Sequence, residues 1–500
     1  MTASPKQKSL KLNVIFNALY QIFVLIVPFV TSPYISRVLL PTGVGSYSYS
    51  FSTVTYFATA AAFGFLDYGT TLIAKNRDDK AKYSQSFWEL LGTKAIFTSL
   101  IVIIYISLSL GNIFYSASYP LNSKIVFIFL GCDILVNAMD ATFLFQGLED
   151  FGPLCLRNFL VRLLNMILIF TCVRSSGDYL NYVIIMSVSN ILLGLFTFIG
   201  IHKKISKPVK GKFPFFSHIR NSFIFFIPAA AISFFPVISK SFLGLIVRDS
   251  AKSGYYEQAD KLITLTVTMI NSVDAIMMAR MSYLYATHNE EQIREKTKET
   301  LQLYLLFALP AFFGIIAINP YFTVGFFGSD YEESVQLVYL MAPRILLSPL
   351  TGLLGAIYYI PSGKLWKRNI FYLIGFGLNV LLNGLLIYYD SVQGAALATM
   401  LTDLVLCLMF VLYARRDVRF PAVKETFIKS LDSALLMFVC AFVIALYFGK
   451  KISPIKVSVL QILAGIIVYA LFVLLFREEM STRYFNAFRN KLRKRKGISK

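Results

Sequence analysis

Residues Phe16–Ser50 read FNALYQIFVLIVPFVTSPYISRVLLPTGVGSYSYS. A run of roughly 20 apolar residues, the length that crosses a bilayer, is interrupted by Pro28 and Pro33 and closely followed by Arg37. A soluble helix needs no such continuous hydrophobicity, and a passive anchor needs no arginine. An ionisable group beside a broken helix is stable in hydrocarbon only where it faces protein or water. The segment reads as part of a pathway through a membrane.

The rest of the chain agrees. Of its 500 residues 56% are apolar, 46 are Phe, 29 are Tyr and only 15% are charged, which excludes a soluble enzyme and a disordered chain. Long apolar runs, rather than short alternating strands, exclude an outer-membrane barrel. The expected fold is an all-α polytopic membrane protein with about 14 transmembrane helices, from Leu10–Leu39 to Val457–Phe476, joined by short loops. The net charge of +21 does not signal nucleic acid, because the basic residues sit in those loops. One alternate set holds Lys75, Arg77, Lys80 and Lys82, then Lys203, Lys204, Lys207, Lys210 and Lys212, then Arg415, Arg416 and Arg419. The same side carries a tail with Arg489, Lys491, Arg493, Lys494, Arg495 and Lys496. The positive-inside rule puts both termini in the cytoplasm, and the tail is expected to rest on anionic lipid at roughly 1 kcal/mol per cation. Lys6, Lys8 and Lys11 lead into an apolar segment too long for a cleavable signal core.

Enzymatic signatures are missing. No phosphate-binding G-x-x-x-x-G-K-[ST] loop and no H-E-x-x-H occurs. Cys132, Cys155, Cys172, Cys407 and Cys440 fall in apolar segments without metal or redox spacing and read as buried thiols. His202, His218 and His288 are expected in separate loops, so no metal site and no cofactor is expected.

An internal echo suggests duplication. Pro28, Ile35-Ser36-Arg37 and Gly45-Ser46-Tyr47 return in the same order as Pro228, Ile238-Ser239-Lys240 and Gly254-Tyr255-Tyr256. Transporters are often built from such repeats. The implied division is 1–205 for spans one to six, 206–425 for spans seven to twelve, 426–480 for an added pair and 481–500 for the tail.

Charged residues inside spans are the candidates for chemistry. Asp133, Asn137 and Asp140 share one face of the fourth span by helical spacing, and Arg157, Asn158, Arg162 and Asn165 share an arc of the fifth. These neighbours form either a structural ion pair between Asp140 and the arginines or the lining of a hydrated cavity. The eighth span carries Glu257, Asp260, Thr264, Asn271 and Asp274 on one face, with Lys261 beside it. Arg344 is too deep in the tenth span to reach the interface easily. Arg37 and Lys240 lie towards the outer ends of their spans, and Lys94 within reach of the cytoplasmic interface.

The segments VPFVTSPYISRVLLPTGVGSYSYS, YFATAAAFGFLDYG and IAKNRDDKAKYSQSFWE resemble the start of the Wzx-type polysaccharide repeat-unit flippases, of the multidrug, oligosaccharidyl-lipid and polysaccharide exporters. Relatives share P-Y-x-x-R-V-L, G-x-x-x-Y-G and I-A-x-x-R-D-[DN]-x at this place. Two departures are Leu40, where glycine is usual before the proline, and Asp67, where an uncharged residue is commoner. The resemblance implies two six-helix lobes around a central cavity. It implies transfer of an undecaprenyl-diphosphate-linked oligosaccharide to the outer leaflet of a bacterial cytoplasmic membrane, by alternating access and beside other polysaccharide-assembly proteins. Arg37, Arg157, Arg162, Lys240 and Arg344 would then meet the diphosphate, arginine through its planar fork. Asp133, Asn137, Asp140, Asn165, Asp260, Asn271 and Asp274 would line polar cavity, with Asp133, Asp140 and Asp274 as candidates for H⁺ or Na⁺ coupling. The rival readings are a lipid II flippase, a cation-coupled multidrug exporter and a membrane glycan polymerase. The polymerase needs a large outer loop that this chain lacks.

Overall fold

Hydrophobicity this dense leaves the backbone one way to satisfy its polar groups in lipid, which is the helix. The computed structural model describes residues 10–114, 119, 121, 124–207, 213–417 and 423–483, and among them no strand occurs. The tail cations from Arg489 onward, and Lys6, Lys8, Lys210, Lys212 and Arg419, lie outside the described residues. In chain order the helices are α1 (Leu10–Ala62), α2 (Phe65–Lys75), α3 (Lys80–Leu110), α4 (Lys124–Met139), α5 (Thr142–Gly147), α6 (Phe151–Cys172), α7 (Tyr179–Phe196) and α8 (Phe215–Phe242). There follow α9 (Ser250–Asn271), α10 (Asp274–Ala286), α11 (Glu290–Phe327), α12 (Glu333–Met341), α13 (Arg344–Leu354), α14 (Leu365–Ala414), α15 (Lys424–Phe448) and α16 (Pro454–Leu475). Single π-helical turns end two of them, Leu243–Val247 after α8 and Gly355–Tyr359 after α13.

Ten helical segments among the described residues are long and apolar enough to cross a membrane, or twelve when α9–α10 and α12–α13 each count as one bent span. The expected fourteen further requires α1 and α14 to cross twice. A straight helix of about 50 residues would be ~75 Å long, against a hydrocarbon core of ~30 Å. Both helices break where that reading needs it, α1 at Leu40 (φ 60°, ψ 173°) and α14 at Asp390–Ser391 (Ser391 φ 51°).

Contacts divide the chain into two units, Met1–Gly254 and Tyr255–Lys500. The repeat-based boundary at 205/206 falls one helix earlier, because α8 packs on α1, α2 and α3. In the first unit the motif residues act through close approach. Gly64 takes φ +70° in the turn from α1 to α2, and a Cβ on Gly69 would lie 2.6 Å from Leu90. Asp79, of the R-D-D motif, caps α3 by accepting from the Ala81 and Lys82 amides at 3.0 and 3.1 Å. The Lys82 backbone N–H and then its ammonium hold that carboxyl below the usual range. The repeat-related glycines also pack as a pair. A Cβ on Gly45 would fall 1.8 Å from the Ser250 carbonyl, and one on Gly254 would fall 2.1 Å from the Pro41 carbonyl. In the second unit α15 and α16 pack together on α11, where Gln461 donates to the Ala317 and Ala441 carbonyls at 3.2 and 2.9 Å.

Three expectations are corrected here. The fourth span breaks after Met139, so Asp140 leaves the face of Asp133 and Asn137 and caps α5, where its carboxylate accepts the Thr142 amide (2.8 Å) and hydroxyl. His218 lies in helix α8, buried, rather than in a loop. Of the five cysteines expected to be buried, Cys172 is exposed at the end of α6 and Cys132 and Cys440 are half-buried, while Cys155 and Cys407 are buried.

Candidate functional site

Four of the five expected cations (Arg37, Arg157, Arg162, Lys240) belong to the first unit, and Arg344 to the second. Arg37 is an exposed residue of α1, and Lys240 is half-buried near the end of α8. On α6, Arg157 donates through Nη2 to the Ile199 carbonyl at 2.5 Å and lies 5.4 Å from the Phe145 ring centre. Its Nη1 is buried without a hydrogen bond. Arg162, just over a turn further along α6, has no hydrogen-bond or ion-pair partner among the described residues, and its Nε is buried. Asn165 instead donates to Ser189 of α7 at 2.8 Å and fixes that helix pair.

No ion pair joins Asp140 to Arg157 or Arg162. Asp140 turns to Lys94, whose ammonium, almost wholly buried, donates to the Asp140 carbonyl oxygen at 2.6 Å. Lys94 thus reaches the broken end of α4, where unpaired carbonyls attract a cation, rather than the membrane interface. Asn137 donates to the Ala58 carbonyl of α1 at 3.2 Å. Asp133 differs from both, because its two oxygens are buried without a hydrogen bond, with Asn190 of α7 the polar group facing it.

In the second unit the chain bends by 41° between α12 and α13. Pro343 has no N–H to continue the ladder, and the next residue is Arg344. Its Nη1 donates to Asp260 of α9 at 2.7 Å and its Nε to Asp403 of α14 at 2.9 Å. All three side chains are about a tenth exposed or less. Arg344 is therefore engaged by two carboxylates, one of which, Asp403, was not singled out from sequence. The eighth-span stripe is divided. Asp260 belongs to this triad, Glu257 pairs with Lys261 at 3.8 Å, and Asn271 and Asp274 lie across a 42° bend between α9 and α10.

Arg162 is thus an unpaired guanidinium on an apolar helix among the described residues, and comparison with known proteins indicates the setting. The family model described as polysaccharide biosynthesis protein matches residues 10–277. The chain belongs to the polysaccharide biosynthesis protein family. A putative O-antigen transporter of Escherichia coli K12 is 25% identical over 350 residues, covering 69% of this chain and 82% of the relative. A probable low-salt glycan biosynthesis flippase of Haloferax volcanii is 24% identical over 51% of this chain and 53% of its own length. Among solved structures, the lipid II flippase MurJ in an inward closed conformation matches with a TM-score of 0.74 at 15% identity, covering 93% of this chain and 99% of that one. An inward-facing multidrug exporter of the MATE family matches at 0.56 and 14% identity. This family member therefore shares the MurJ-like helical fold and is a multi-pass membrane protein.

Proposed function

We propose that the protein is a flippase, not an enzyme, that carries a lipid-linked oligosaccharide across the membrane by alternating access for cell-surface polysaccharide assembly. The family, the relatives named for O-antigen transport and glycan flipping, and the MurJ-like fold support this reading over a multidrug exporter. The observation that carries it is Arg162. Cations are kept in membrane helices only at a cost, and this one has no carboxylate to satisfy it among the described residues. A diphosphate supplies two charges and several acceptors for Arg162 and Arg157, with Arg37 and Lys240 completing a cationic surface. Asn137 and Asn165 belong to the polar framework beside it. Arg344, already engaged by Asp260 and Asp403, instead joins helices of the second unit. The finer reading places the protein in a bacterial cytoplasmic membrane with both termini inside, undecaprenyl diphosphate as the carrier, and other assembly proteins beside it.

The test is Arg162→Ala and Arg162→Glu in the native host. A hydrogen bond to a charged group contributes about 1.5–3 kcal/mol, so export should fall roughly 10- to 100-fold at unchanged protein abundance. The lipid-linked saccharide should accumulate in the inner leaflet. Normal export by Arg162→Glu at wild-type abundance overturns the proposal.

A further inference from the structure

A small cavity opens where α11 and α15 begin and α16 ends, at the edge of their apolar runs. Its lining is wholly polar: Lys298 and Gln302 of α11, Glu425, Thr426 and Lys429 of α15, and Glu479 just past α16. All of these lie in the second unit. Two lysines and two carboxylates leave the lining without net charge, so it matches neither a bare anion nor a bare cation. The cavity of ≈ 50 Å³ admits about four water-sized bodies, each needing roughly 10–15 Å³.

The hydrogen bonds around it leave both donors and acceptors unused. The Thr426 hydroxyl donates to the buried Glu478 at 3.2 Å, so its oxygen accepts from Gln302 Nε2 at 3.0 Å. The same Nε2 donates to Glu479 Oε2, also at 3.0 Å. These two bonds orient the Gln302 amide. Its Oε1 is left without a donor among the described residues, although Gln302 is only 2% exposed. Glu479 accepts Lys298 on that same Oε2 at 2.8 Å, and Glu425 accepts Lys429 on Oε1 at 2.5 Å. One oxygen of each carboxylate therefore stays open among the described residues. Lys298 first, and Gln302 with it, hold the Glu479 carboxyl below the usual range, so it is charged at neutral pH. An ammonium has three donors. Lys298 uses one of them and Lys429 two, the second on the Arg477 carbonyl at 3.1 Å. The cavity thus offers acceptor oxygens to a cation and N–H donors to an anion, side by side. On α15 the exposed Leu436, Val439 and Val443 continue the helix face of Lys429 into the apolar run, which gives acyl chains a path.

We propose that this cavity binds the phosphoethanolamine headgroup of a zwitterionic membrane phospholipid, its ammonium on Gln302, Glu425 and Glu479 and its phosphate on Lys298 and Lys429. Hydrogen bonds to charged groups are roughly twice as strong as neutral ones, and a primary ammonium brings donors for every open acceptor. The ethanolamine arm, two carbons and a nitrogen, fits the space. A choline arm adds three methyl groups and has no N–H to donate, and a serine headgroup adds a carboxylate that the neutral lining leaves unbalanced. The bound headgroup ties α15 and α16 to α11 at their polar end. The site requires only the membrane setting, and it stands or falls apart from the cargo and from Arg162.

The experiment is native mass spectrometry with thermal unfolding of the full-length protein in detergent. Dioleoyl lipids with ethanolamine, choline and glycerol headgroups are added at equal mole fraction. The wild type should retain the ethanolamine lipid roughly tenfold more tightly than the choline lipid, the effect of one charge-assisted hydrogen bond. The ethanolamine lipid should also raise the unfolding midpoint, since a ligand of the folded state alone stabilises it as its concentration passes Kd. Glu425→Gln combined with Glu479→Gln leaves the lining positively charged and should move the preference to the anionic glycerol lipid. Lys298→Gln combined with Lys429→Gln should abolish retention of the ethanolamine lipid. Lys456→Gln, exposed at the far end of α16, should change nothing. Equal retention of ethanolamine and choline lipids by the wild type would overturn the proposal, and that comparison decides even where a double variant fails to fold. Wild-type preference for the glycerol lipid, or an ethanolamine preference that survives the two Glu→Gln changes, would overturn it as well. Soluble phosphoethanolamine that protects at the same concentration as the lipid would overturn the assignment to a membrane lipid.

Discussion

At Arg344 one guanidinium meets two carboxylates from different helices, Asp260 of α9 and Asp403 of α14. At Arg162 a guanidinium meets none. The difference predicts how substitutions divide between stability and transport. Removing one partner of a buried pair leaves uncompensated charge and costs about 3–5 kcal/mol. Asp403→Ala should therefore lower the unfolding midpoint sharply in a detergent melt, and Arg162→Ala should not move it. Replacing all three triad residues with apolar ones of similar volume should restore most of the lost stability. Leu40 is the opposite case, a residue whose backbone is at fault. Its φ of 60° with ψ of 173° lies in a region that is essentially glycine's and costs of order 1–3 kcal/mol for other residues. Its side chain is 39% exposed, so little burial is lost by removing it. Leu40→Gly should stabilise the protein by about 1 kcal/mol after glycine's extra chain entropy is counted, seen as a higher midpoint with unchanged export.

At the level of elements, breaks carry the polar groups, and breaks are where reading from sequence fell short. Helical spacing located the apolar runs of α3, α6, α15 and α16, because a bilayer-length segment announces itself. The motif glycines Gly64, Gly45 and Gly254 were visible as motif positions, and the structure adds why: positive φ or a backbone approach that leaves no room for a Cβ. Spacing alone could not show that the fourth, eighth and tenth spans are interrupted after Met139, Asn271 and Met341. Of these only the last has a proline nearby. A face drawn across an interruption is not a face, which is why Asp140 separated from Asp133 and Asp274 from Asp260. Asp403 was overlooked because it stands alone in an apolar run, and its partner is 59 residues away. Another tie fastens the turn after the second π-helical segment to the end of α14, where Asp417 accepts from Lys364 and from the Tyr358 hydroxyl. Lys364 first, and Tyr358 with it, holds the Asp417 carboxyl below the usual range. A depressed folded value contributes stability that is present above the unfolded value of about 3.9. That stability is lost as pH falls through the folded value. The midpoint difference between wild type and Asp417→Asn should thus stay constant from pH 8 to pH 5 and close only below about pH 4. The group is half-exposed, so the difference should be small.

For the whole molecule the decisive quantity is how much charge moves when the cargo crosses. Each elementary charge carried through 100 mV is worth about 2.3 kcal/mol, so a diphosphate with two net charges leaving a negative interior gains roughly 4.6 kcal/mol. That is a bias of about 10³ in the leaflet distribution, enough to drive export without ATP. The bias has its full size only if the cations that meet the diphosphate return with the empty protein and add nothing net over a cycle. Side chains such as Arg162 meet that condition, being covalently fixed to α6. A monovalent cation carried outward with each cargo would cut the moved charge from two to one and the gain to about 2.3 kcal/mol per 100 mV, while a cation carried inward would raise it to about 6.9 kcal/mol. Proteoliposomes with K⁺-valinomycin potentials from 0 to 100 mV would read this directly from the leaflet ratio of a labelled lipid diphosphate saccharide. In choline medium the slope should correspond to two charges.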